Sequence, residues 1–193
     1  GEGRILIGDT DIRNIQKSYL RKHVGLVLQE PFLYSRTIQE NIGITLEEAT
    51  LGEIKKACEI ACVDSAIDSF TDGYDTIVGE RGVTLSGGQK QRAAIASAIA
   101  SGRSVLFLDE PTSGLDHKHM LEVAEVLREV WDTGISVYVI THDLELIIEC
   151  CTDVIHFENG TIADQYQMDA EGMEKIRKYF IQEKCCGKWS KSD

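Results

Sequence analysis

The chain has 193 residues, of which 42% are apolar and 27% charged, and its formal net charge is −12. That length supplies one domain with a sizeable core, or a large part of one, and the composition excludes a disordered, collagen-like or disulfide-dense chain. With 32 acidic residues against 20 basic ones, no fold-wide electrostatic grip on nucleic acid or anionic lipid is expected.

In chain order, residues 4–8 (RILIG) and 24–28 (VGLVL) read as short strands, with a short helix over 15–22 between them. Thr50 with Glu53 three residues later is a capping-box signature. Ile54, Ala57, Cys58, Ala61 and Cys62 then follow helical spacing, which predicts a helix over 50–62 with a core-facing stripe. From Glu47 to Glu80 nine acids stand against two lysines. That is the pattern of a solvated helical surface, with an acidic docking face as the alternative. Strong helix formers fill 88–101 and stop at Gly102. Val105–Leu108 is an uninterrupted apolar run ending in Asp109 and Glu110, the form of a buried parallel strand.

Met120, Val123, Ala124, Leu127, Val130 and Trp131 mark an amphipathic helix over 117–131, which Gly134 breaks. Residues 136–141 and 153–158 read as strands, 143–151 as a helix, and Asn159–Gly160 as a tight turn. This alternation predicts an α/β fold with a parallel sheet. No run approaches the ~18 apolar residues that span a bilayer. The N-terminus, GEGRILIG, shows no signal peptide and begins at Gly1 rather than Met. Cys58, Cys62, Cys150, Cys151, Cys185 and Cys186 fit no standard zinc spacing. Reduced thiols in a cytosolic compartment are expected. The tail from Lys184, with three lysines and one aspartate, is expected to fray.

Two segments carry chemistry. A carboxylate pair just beyond a buried parallel strand, Asp109–Glu110, stands where α/β sheets place ligands. Beside a phosphate site, such an Asp orients Mg²⁺ and the neighbouring acid positions a water. Leu85-Ser86-Gly87-Gly88-Gln89 precedes a helix. Its glycines let backbone approach an anion, Ser86 adds a hydroxyl, and the helix N-terminus adds free N–H groups. Taken singly, each has a plainer account: a strand entering a turn, or a glycine-rich helix cap. Gln29 alone would be a surface amide and His142 a structural histidine.

Read together, LSGGQKQR at 85–92, FLDEPTSGLD at 107–116 and His142 after the next strand resemble the ATP-binding cassette family, the nucleotide-binding domain of ABC transporters. The resemblance covers residues 3–165. It implies a P-loop NTPase-like parallel-sheet core with an inserted helical subdomain, about 33–85, that carries the signature motif. Residues 166–193 are expected to be a C-terminal helix and lysine-rich tail. By resemblance Ser86, Gly87, Gly88 and Gln89 are the signature loop that meets ATP. Asp109 is the Walker B aspartate, a Mg²⁺ ligand, and Glu110 is the catalytic glutamate that polarises the attacking water. Asp116 ends the D-loop Ser113–Asp116, and His142 is the switch histidine at the γ-phosphate. Gln29 is the Q-loop glutamine, linking Mg²⁺ and the water to the membrane-coupling region. Glu80-Arg81-Gly82 resembles the exporter X-loop.

The family's G-x-x-x-x-G-K-[ST] phosphate loop is not found: Lys17-Ser18 and Lys191-Ser192 lack its glycines. In the family that loop lies upstream of the strand RILIG resembles. The chain therefore reads as a cassette whose N-terminal part is missing, with marginal stability, weak or no MgATP binding and no turnover by itself. Residues 29–100 resemble exporters, whereas the text from about Leu108 resembles energy-coupling-factor importers. The resemblance implies ATP and Mg²⁺ as cofactors, and as partners a second ATPase domain and a transmembrane domain at the cytoplasmic side of a membrane. The alternatives are a non-catalytic cassette lending its signature to a partner's ATP, or a soluble ATPase acting on nucleic acid. The acidic charge argues against the last.

Overall fold

The computed structural model describes residues 3–46, 49–79, 83 and 85–185, with side chains described up to residue 180. The chain forms two compact units, Gly1–Thr141 and His142–Asp193.

The first unit opens with β1 (Leu6–Ile7) and β2 (Thr10–Asp11), an antiparallel pair turned at Gly8, whose φ is +58°. Helix α1 (Lys17–His23) leads into β3 (Val24–Val27). The helices α2 (Ile38–Ile42), α3 (Leu51–Ile60), α4 (Asp64–Asp68) and α5 (Gly87–Ala100) follow. The unit closes with β4 (Val105–Asp109), α6 (His117–Asp132) and β5 (Ser136–Ile140).

The strands β3, β4 and β5 form a parallel sheet in that order, with Val24 opposite Val105 and Asp109 opposite Ile140. Alternation along β4 turns Leu106 and Leu108 inward, and both are buried, as are Ala93, Ile95 and Ala96 of α5 and Val123, Leu127 and Val130 of α6. Each such burial contributes about 1.5–3 kcal/mol for a Val, Leu or Ile. On the alternate face Leu26, Tyr138 and Ile140 stay exposed, and Phe107 stacks on Tyr138 at 4.9 Å. Gly25 allows the close approach on the packed side: a Cβ there would meet Leu106 Cδ1 at 3.0 Å.

The expected stripe on α3 is present, with Ile54, Ala57, Cys58 and Ala61 buried. Its capping box is formed: Thr50 Oγ1 accepts from the Glu53 N–H at 3.3 Å, and Glu53 Oε2 accepts from the Thr50 N–H at 3.0 Å. The helix stops at Ile60 because Cys62 turns left-handed, φ +48°, and the Val63 N–H returns to Cys58 O at 3.0 Å. Burial pushes the Cys58 thiol up to about 12, so it stays protonated. Glu53, Glu59, Asp68, Asp72 and Asp75 face solvent, as a solvated helical surface requires. Glu47, Glu48 and Glu80 lie outside the described residues.

The second unit holds α7 (Leu144–Cys150), β6 (Asp153–Glu158), β7 (Thr161–Gln167) and α8 (Ala170–Cys185). Two expectations for the sheet are corrected. Of residues 4–8 only Leu6–Ile7 are strand, and they pair with β2. Residues 153–158 pair antiparallel with β7 rather than joining a parallel sheet. The reason lies in the turn: Asn159 and Gly160 both have positive φ, +50° and +77°, the geometry that folds a strand back on itself.

Asp164 accepts from Tyr179 Oη at 3.2 Å and pairs with Lys175, which ties α8 to β7. A Cβ on Gly172 would stand 1.9 Å from Gln167 O. Gly172→Ala is therefore expected to destabilise this unit by about 2 kcal/mol in urea unfolding. A loss below about 0.5 kcal/mol would mean that α8 shifts freely on the hairpin.

Candidate functional site

Ser86 caps α5 reciprocally. Its Oγ accepts from the Gln89 N–H at 3.2 Å, and Gln89 Oε1 accepts from the Ser86 N–H at 2.9 Å. Gln89 thus has a local task in holding the cap. The first helical positions are Gly87, exposed, and Gly88, buried. Neither needs to be glycine for this fold. Neither backbone is left-handed, and a Cβ would sit 3.5 Å from Leu115 Cδ2 at Gly87 and 3.6 Å from His119 Cδ2 at Gly88, ordinary contacts. The bare backbone leaves a cradle that a methyl would fill, at a helix N-terminus whose N–H groups suit an anion.

Asp109 ends β4, half-buried, in the middle of the sheet. Glu110 follows with φ +45°, a left-handed conformation that costs a non-glycine residue about 1 kcal/mol. Its N–H donates to Ile140 O at 2.8 Å, and its Oε2 accepts from Thr141 Oγ1 at 3.3 Å. These bonds fix the carboxylate just past the strand. Pro111 and Thr112 are buried, and Gly114, φ +72°, turns the chain toward α6. Asp116 caps α6, accepting from the His119 N–H at 3.0 Å, with His119 Nδ1 at 2.8 Å. The backbone bond first, then the ring, holds Asp116 below the usual carboxylate range.

Gln29 is exposed in the loop after β3, where its Nε2 donates to Ser113 Oγ at 2.9 Å. Both border a cleft of about 340 Å³, lined also by Phe32, Gly87, Gln91 and Pro111. The fold therefore brings Gln29, Gly87 at the start of α5, and Ser113 and Leu115 of the turn before α6 around one cleft. Asp109 and Glu110 do not line it; they begin the segment that does. His142 is exposed at the start of the second unit, one residue before Asp143, whose Oδ1 caps α7 by accepting from the N–H groups of Glu145 and Leu146. Glu80, Arg81 and Gly82 lie outside the described residues. Among the described residues no cluster of three or more metal-ligating side chains occurs.

One partnership and one cleft residue escaped the sequence reading. Ser113 was read as the start of the D-loop, but its bond to Gln29, 84 positions away in the chain, lies beyond any local pattern. Gln91 had a signal: it stands four residues after Gly87, on the same helix face.

Residues 1–113 match the family model described as ABC transporter. A Bacillus subtilis protein named for multidrug export, the ATP-binding/permease protein YgaD, is 45% identical over 165 residues, 84% of this chain and 28% of that protein. ABC transporter B family member 3 of Dictyostelium discoideum is 41% identical over 179 residues, 93% of this chain and 12% of that protein. The solved structure of a bacterial Atm1-family ABC exporter with ATP bound matches with a TM-score of 0.81 at 31% identity, covering 94% of this chain and 32% of that one. The chain thus spans between 12% and 32% of the length of these relatives.

Proposed function

The chain belongs to the ABC transporter family, and from that membership we propose that it is part of an ATP-hydrolysing domain that drives transport across a membrane. The observation that carries this is the capped start of α5, where neither of two successive glycines is required by the fold and Gly87 leaves backbone open beside Ser113 and Leu115.

In this reading the Ser86 hydroxyl and the N–H groups of Gly87 and Gly88 meet the γ-phosphate of ATP held on a second such domain, and Gln89 keeps the cap in shape. Asp116 and the turn before it face that second domain. Asp109 and Gln29 would hold Mg²⁺; their hard oxygen donors fit that ion. When bound, Mg²⁺ neutralises charge on the phosphate oxygens. The Glu110 carboxylate orients the attacking water and takes its proton, and His142 donates to the γ-phosphate. The strained backbone at Glu110 supports a functional role.

No helix among the described residues is long and apolar enough to cross a membrane. The transport path is supplied by a transmembrane domain, fused or separate, with this domain on its cytoplasmic side. Outward transport is favoured over import. The relative named for multidrug export aligns over 165 residues, which necessarily includes part of the chain beyond Leu108.

No G-x-x-x-x-G-K-[ST] loop occurs in the 193 residues. Isothermal titration of the chain alone is expected to show no micromolar MgATP binding. Turnover is expected once the chain is mixed with a cassette domain that carries the loop. Micromolar binding by the chain alone would overturn this division of labour, and a mixture without turnover would overturn the ATPase reading.

A further inference from the structure

Gln91 lies one turn into α5 and is 3% exposed, and its Nε2 has no hydrogen-bond partner among the described residues. Folded proteins rarely leave a buried amide donor without an acceptor. Gln91 lines the cleft together with Ser113. Ser113 Oγ is at present bonded to the Gln29 amide at 2.9 Å. Gln29, Gln91 and Ser113 therefore meet at one cleft, the Gln91 amide nitrogen buried behind its wall, and in this conformation Gln29 holds the hydroxyl.

We infer that Gln91 is a positioning residue for Gln29: its buried amide takes over Ser113 Oγ when the Gln29 amide leaves. This rests on the proposed role of Gln29 at Mg²⁺ and the attacking water. Breaking the Gln29–Ser113 bond is unfavourable by itself. A buried donor that gains its first partner in the same motion offsets that loss. The exchange makes the two loops alternate between discrete arrangements, with Gln29 free in one and latched in the other.

The chain alone tests the exchange. Gln29→Ala, at an exposed position, imitates departure of the amide. In a ¹⁵N-labelled Gln29→Ala chain the Gln91 carboxamide protons are expected to exchange with water up to about tenfold more slowly than in the wild type. The slowing is expected to vanish in Gln29→Ala/Ser113→Ala. Equal exchange in the wild type and Gln29→Ala overturns the inference.

A second variant separates positioning from packing. Gln91→Leu removes the unpaired amide, so the thermal midpoint is expected to hold or rise. In the assembly with a loop-bearing domain, kcat is expected to fall about tenfold with KM for ATP unchanged. A lowered midpoint with parallel loss of activity marks a structural residue and overturns the inference. If the wild-type assembly does not hydrolyse ATP, the functional reading fails, while amide exchange in the chain still decides the role of Gln91.

Discussion

Replacing Gly87 with alanine is expected to leave the chain as stable as before, or about 0.5 kcal/mol more stable, while ATP turnover in a two-domain assembly falls at least about a hundredfold. The two effects have opposite signs because they arise on opposite sides of the same backbone. Toward the chain, a methyl at Gly87 finds Leu115 Cδ2 at 3.5 Å and fits. Alanine also loses less entropy than glycine on entering a helix. Toward solvent, the methyl occupies the space in which phosphate oxygens would approach the first N–H groups of α5. Urea unfolding with an unchanged m value, set beside steady-state turnover, makes the comparison. If stability and turnover fall together, the glycine serves the chain's own packing and the proposed phosphate contact loses its support.

Removal of the Glu122 carboxylate, by Glu122→Ala, is expected to cost about 2–3 kcal/mol of stability. Arg92 of α5 is 8% exposed and is paired with Glu122 of α6. Its Nε has no partner among the described residues, so the guanidinium depends on that carboxylate. Without it a buried cation is left uncompensated. The figure is set below the 3–5 kcal/mol typical of a fully buried pair because the Glu122 side chain is 34% exposed and partly screened by water. Arg92→Met/Glu122→Leu is expected to recover most of the loss, since apolar side chains of similar volume remove both charges together. A loss under about 0.5 kcal/mol for Glu122→Ala, the range of surface pairs, would show that Arg92 stays hydrated.

The succession α5, β4, α6, β5 could be read from the sequence because each element has its own period and its own stop. Gly102 stands just past α5, and Gly134 separates α6 from β5. Short elements lacked that information: α2 has five residues, too few to show a helical period. Parallel pairing was legible where a helix separates two strands, as between β4 and β5, and was misread where a tight turn separates them. Asn159–Gly160 was recognised as a turn, but its consequence, an antiparallel return through β7, runs against the parallel order implied by alternating strands and helices.

In the site, residue types at fixed spacing picked out Ser86–Gln89, Asp109 and Glu110. The side-chain partnerships, Gln29 with Ser113 and Arg92 with Glu122, join residues far apart in sequence and depend on how the elements pack. Which residues bear unmet hydrogen-bonding capacity, as Gln91 does, is likewise a property of packing alone.

The left-handed backbone at Glu110 bears on how this protein would respond to selection for heat resistance alone. Glycine or asparagine adopts that conformation at lower cost, so a library ranked only by residual folded protein would enrich those residues at position 110 and discard the carboxylate. Thermostability and the role proposed for the Glu110 carboxylate would then be optimised by different sequences at a single site, and a stabilised variant of this chain should be screened for activity at position 110 before any other.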